Sequence, residues 1–153
     1  MRFQEAATKG DRLRTDIALA EALQWSSLAF TSHSWEHPLH ESKYVRGLLH
    51  AWNVVKHTGA EAWSYATQGV ALPLQFAMAF SEARWRQFAD LPRLSRQHEH
   101  AKAREEGYRG VLEGQPCRFA LNVATAILIQ ARTGRVDPDE IAAAAGEIDP
   151  KYQ

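Results

Sequence analysis

Residues 118–133 read RFALNVATAILIQART, and the fold class turns on whether they form a strand or a helix. Phe119, Leu121, Val123, Thr125, Ile127 and Ile129 alternate along the run, as the inward positions of a strand do. Strands rarely reach this length. Arg118, Asn122, Thr125 and Arg132 fall at i, i+4, i+7 and i+14, which is one stripe of an α-helix. Length and polar stripe together predict a buried helix with a narrow polar edge, ended by Gly134. That edge reads as the solvent side of the helix, or as the lining of a pocket or partner groove.

Outward from this run, helix punctuation recurs. Gly114, Gln115 and Pro116 mark the turn before it. Asp137, Pro138, Asp139 and Glu140 supply a cap, a first-turn proline and first-turn acids for a last helix ending at Gly146, with 147–153 as a loose tail. Towards the N-terminus, Asp11 can cap a helix over 12–30. Its inward stripe would be Leu13, Ile17, Ala20, Leu23 and Leu28, with Arg12, Arg14, Asp16 and Glu21 largely outside it. After a polar break at 31–37, Pro38 can occupy the first turn of a second helix. That helix carries Tyr44, Leu48, Trp52 and Val55 on one stripe, with Val45 and Leu49 widening it. It stops at Lys56, His57, Thr58 and Gly59, two cations at the negative end of the dipole and then glycine. A short helix over 60–68 would turn Trp63 and Ala66 inward. A fourth over 73–89 is apolar nearly all round at 74–80, so it reads as central. Residues 94–112 are the most polar segment and read as an exposed helix broken near Gly107 and Gly110.

The sum is an all-α fold: a single-domain bundle of six to seven helices over 1–153, with bundle or irregular orthogonal packing. The chain is long enough to bury a core without staples. Lys plus Arg and Asp plus Glu are both 18, so no global field favours nucleic acid or an anionic membrane, and self-association meets no long-range repulsion. The one cysteine, Cys117, forms no internal disulfide, and the N-terminal residues show no secretory pattern, which fits a cytoplasmic location. The apolar runs 70–80 and 119–129 are too short to span a bilayer.

Three side-chain groupings carry candidate chemistry. Five of seven histidines lie between positions 33 and 57. Imidazoles bind transition metals, so His33, His37 and His40, with Glu41 or Glu36 adding oxygen, form a candidate metal site. Solvated polar residues in a connector explain the same pattern. His50 and His57 stand about 10 Å apart along a helix, too far to share an ion directly.

The second grouping is Arg93, His98 and His100. An arginine and a histidine with four to six residues between them resemble the spacing in the HEPN ribonuclease families, which are also helical bundles. The resemblance covers this segment alone, and Leu94 stands where those families usually carry a polar residue. It would imply an arginine holding phosphate and a histidine acting as general base or acid. A solvated charged helix is the alternative.

The third grouping, residues 82–88, interleaves Arg84, Trp85, Arg86 and Phe88, an arrangement that can stack on bases or anchor an interface. The local basic surplus is small for a phosphate track. Trp25 and Trp35 also sit where interface anchors could lie. Cys117 beside Arg118 offers an activated thiol, or a small apolar core residue. The chain lacks a Gly-rich phosphate loop, GxSxG, HExxH and CxxC. The leading expectation is therefore a non-enzymatic protein-interaction module with no cofactor, acting on another protein or on a second copy, with Trp35, Trp85, Arg84 and Arg86 as contacts. A metal protein and a nucleic-acid-binding domain are the alternatives.

Overall fold

The run at 118–133 is helical. In the computed structural model, which describes residues 2–65, 83–94 and 100–133, helix α4 spans Cys117–Thr133. Cys117, Ala120, Val123, Ala124 and Ile127 are buried, while Arg118, Asn122 and Thr125 form the exposed edge. Cys117 therefore packs as a small apolar core group. Most of the described chain is helical, and four α-helices fall within it. The helix expected at 137–146 lies outside the described residues.

Helix α1 spans Arg2–Thr31, so Asp11 lies within it and not at its start. Its inward face also differs from the expected stripe. Leu19, Leu23, Ser27 and Phe30 are buried against α2 and α4, whereas Leu13, Ile17, Trp25 and Leu28 point outward. Asp16 accounts for this rotation. Its Oδ1 accepts from Trp63 Nε1 at 2.8 Å and from the Tyr65 hydroxyl at 2.6 Å. A carboxylate with two donors inside is cheap to turn inward, and it fixes which of two apolar stripes meets the core.

Pro38 opens a separate 3-10 turn, Pro38–Glu41, and not the helix after it. The extended backbone of Ser42 (φ −62°, ψ 126°) divides the two. Helix α2 then runs over Lys43–Thr58 and ends as its sequence predicts. Gly59 is left-handed (φ 67°), and its N–H donates to the Val55 carbonyl at 3.0 Å.

Two expected helices are replaced where the chain is described. Residues 63–65 form strand β1 (Trp63–Tyr65), and 83–85 form strand β2 (Ala83–Trp85), paired antiparallel with Trp63 opposite Trp85 and Ser64 opposite Arg84. The register turns both tryptophans into the core, edge to face with ring centroids 6.4 Å apart, a pairing that favours strands. The expectation that Trp63 faces inward holds; the helical setting does not. Residues 66–82, including the predicted central helix at 74–80, lie outside the described residues. Trp85 also exchanges backbone hydrogen bonds with Gly114 and Gln115, tying the hairpin to the turn before α4.

Within the polar segment 94–112, the described residues 100–112 are less exposed than expected. Helix α3 (Ala101–Gly107) continues into a wide π turn, Tyr108–Leu112, with Gly107, Tyr108 and Leu112 buried. Both glycines that suggested breaks lie within this continuous element. Gly107 is there because α2 passes too close for a side chain: a Cβ would lie 2.7 Å from the Lys43 carbonyl oxygen. The Tyr108 hydroxyl donates to the Arg86 carbonyl at 2.8 Å and lies 3.3 Å from that of Ala62, so this turn holds the hairpin in place.

Candidate functional site

His40 of the first sequence grouping and His100 of the second come together around Trp35. Its ring lies flat on His100, with centroids 4.0 Å apart and planes 4° from parallel. His40 stacks at 5.0 Å, and the guanidinium carbons of Arg46 and Arg104 lie 5.7 and 5.6 Å from the ring centroid. Cations are drawn to an indole face, so the cluster is held by ring electrostatics as well as by packing. His100 enters it from a left-handed backbone (φ 65°) at the start of α3. Such a conformation costs energy in a non-glycine residue, and it positions this ring. His40 is buried, with neither ring nitrogen hydrogen-bonded. Burial pushes its pKa below the ordinary histidine value, and the Arg104 and His37 charges act the same way, while nearby carbonyls of His33 and Phe30 oppose them.

The metal candidates are close but do not converge. The rings of His33 and His37 lie 4.6 Å apart. His33 Nδ1 sits 3.2 Å from the Ala29 carbonyl, and His37 Nδ1 accepts the Leu39 N–H at 3.3 Å. Glu41 is exposed. Among the described residues, no three metal-ligating side chains are placed to hold an ion.

Arg93 goes elsewhere. It lines a cleft of about 490 Å³ between α2, residues 88–94 and α3. His50 and Asn53 of α2 contribute to it, as do Phe88 and Leu91 on the apolar side and Arg104, Glu105 and Arg109 from α3 and the π turn. His98 lies outside the described residues, and His100 is occupied by Trp35, so the spacing that resembled a ribonuclease motif is not seen as one constellation. The histidine that shares the cleft with Arg93 is His50. Its ring packs against Phe88 at 5.5 Å and Tyr108 at 5.4 Å. Burial, and then the positive charges of Arg104 and Arg109, lower its pKa to about 4, so it is neutral at pH 7. Arg109 lies over the Phe88 ring at 4.0 Å. Arg104 joins the cleft to the Trp35 cluster, and its Nε is buried with no hydrogen-bond partner.

Sequence reading missed Arg104 and Arg109 because five residues along an α-helix point well apart. Both nevertheless line one cleft, at the junction of α3 with the wide turn at Tyr108–Leu112.

The basic and aromatic interleaving at 84–88 serves the hairpin. Trp85 is 1 % exposed. Arg84 donates to the Gly114 carbonyl at 3.0 Å, and Arg86 to that of Trp63 at 2.9 Å, with Glu61 3.9 Å away. Most of the large exposed apolar side chains lie on α1: Trp25 is 70 % exposed, Leu13 62 %, Leu28 53 % and Ile17 50 %, with Ile129 of α4 apart from them. They fan over roughly 120° of the helix, centred roughly 140° from the buried stripe. Among the described residues no helix is long and apolar enough to cross a membrane. Comparison with protein-family models, with curated proteins and with solved structures gives no match to this chain.

Proposed function

We propose that the chain is a helical interaction module that pairs with a second copy of itself through the outer face of α1. The observation that carries this reading is Trp25, 70 % exposed beside Leu28, Ile17 and Leu13 on one helix face. Exposed apolar side chains gathered on one face mark contact surfaces, and tryptophan is a frequent anchor of them. Their spacing favours a like partner. Two α1 helices packed antiparallel would set Leu13 against Leu28 and Ile17 against Trp25, two pairs centred on nearly the same point. A two-fold axis there makes the patch its own complement. The balanced charge of the chain opposes no such pairing.

Sedimentation of the purified chain over a range of concentrations tests this. A reversible dimer, lost in Trp25→Ser with unchanged helical circular dichroism, is the expected result. A monomer throughout, or a dimer indifferent to Trp25→Ser, would sink the reading. In the first case the occupant of this face is a different protein or the apolar run 70–80 of the same chain.

A further inference from the structure

We infer that the cleft between α2, residues 88–94 and α3 binds a small phosphate monoester carrying a flat apolar group. The inference does not rest on α1 pairing, since none of the outward α1 residues lines this cleft.

Size comes first. About 490 Å³ lies in the range of small-molecule sites, which pair an apolar lining with a few polar groups. Charge comes second. Arg93, Arg104 and Arg109 bring three guanidinium groups, Glu105 brings one carboxylate, and His50 is neutral, which leaves two positive charges uncompensated in the lining. Arg104 has a buried Nε without an acceptor, and a cationic N–H in that state is costly until an anion arrives. A phosphate monoester carries about −1.5 to −2 near neutral pH, which matches two charges; a carboxylate or a backbone phosphodiester carries half of that. Guanidinium forks also suit tetrahedral oxyanions. The third element is the wall. Phe88, with Arg109 over its ring, and Leu91 put apolar surface beside the cations, so the ester group needs an apolar body, for which a flat ring is the compact choice.

The experiment titrates phenyl phosphate into the whole protein by calorimetry, with inorganic phosphate and benzoate as comparators. It also follows the His50 ring by NMR across pH. Saturable binding of phenyl phosphate is expected, about tenfold or more tighter than either comparator. Arg93→Gln and Arg109→Gln remove exposed side chains, so the fold should persist, and each should weaken binding about tenfold, as loss of a charge-assisted hydrogen bond does. With ligand bound, the anion offsets Arg104 and Arg109, and the His50 titration moves up from about 4. Three results would overturn the inference: no saturation at millimolar ligand, binding unchanged in both variants, or benzoate or inorganic phosphate bound as tightly as phenyl phosphate.

Discussion

Gly107 rests against Gly47 so closely that a Cβ on Gly107 would lie 2.9 Å from the Gly47 backbone nitrogen. The same atom would meet the Lys43 carbonyl oxygen and the Arg46 Cβ, both at 2.7 Å. Backbone atoms cannot step aside as a flexible side chain can, so α2 and α3 would have to separate. Gly107→Ala should therefore cost about 1–3 kcal/mol, the usual range for overpacking. Gly110 is the control. A Cβ there meets only Lys43 Cδ, at 3.8 Å, and the backbone is not left-handed. Gly110→Ala should be neutral or stabilise by up to about 1 kcal/mol. Urea midpoints of the two variants check the pair, and equal losses would contradict the close crossing.

Stability should fall with acid through His50. Its folded pKa of about 4 lies below the unfolded value of about 6.5. Between those values the unfolded chain binds the extra proton, so unfolding becomes easier as pH drops. The contribution is complete above about pH 6.5, is lost progressively towards pH 4, and changes no further below. Its ceiling is about 3 kcal/mol. The charged groups that share its cleft are Arg93, Arg104, Arg109 and Glu105. Buried His40 acts in the same direction. Urea midpoints at pH 7.5 and pH 5 should differ markedly in the native chain and less in His50→Gln. A slope unchanged by His50→Gln would show that the neutral ring is not its source.

What the sequence disclosed and what it hid separate along physical lines. Helices α2 and α4 were legible because each carries a sustained 3.6-residue pattern and a strong stop or start signal, such as Lys56, His57 and Gly59. The hairpin was hidden because Trp63–Tyr65 and Ala83–Trp85 are each three residues long, too short for alternation to register, and their pairing is non-local. The rotation of α1 was hidden for a similar reason. Leu13, Ile17 and Leu28 do form a helical stripe, but Asp16 finds its donors on Trp63 and Tyr65, nearly fifty residues away. Candidate site residues were found one at a time and assembled differently: His40, Trp35 and His100 in one cluster, Arg93 with His50 in another. Periodicity reports which face of an element is apolar. It does not report which faces meet.

The contact between Trp35 and Arg104 should be measurable as a coupling. The guanidinium carbon lies 5.6 Å from the ring centroid in a partly buried setting, where cation–π attraction is worth about 0.5–2 kcal/mol. A double-mutant cycle of Trp35→Leu and Arg104→Gln should return a value in that range. Strict additivity would mean that the ring and the cation are neighbours without an interaction.

Asp16 decides which side of α1 faces the core, and its replacement should show how much of that decision is charge. One oxygen accepts both the Trp63 indole N–H and the Tyr65 hydroxyl. Arg12 lies over the Tyr65 ring at 5.3 Å, adding a cation to the same corner. Burial, and then the neighbouring Asp16 carboxylate, push the Tyr65 pKa upward, so the phenol stays a donor well into alkaline solution. Asp16→Ala removes the acceptor from both donors and should cost about 1–3 kcal/mol. Asp16→Asn keeps a carbonyl oxygen of the same reach but no charge. Hydrogen bonds to a charged acceptor are worth roughly twice neutral ones, so Asn should retain about half of the contribution. Urea titration of both variants, with Trp63 reporting through near-ultraviolet circular dichroism, separates the cases. If Asn costs as much as Ala, the corner is held by the carboxylate charge; if Ala costs nothing, α1 is oriented by Leu19, Leu23 and Phe30 and not by Asp16.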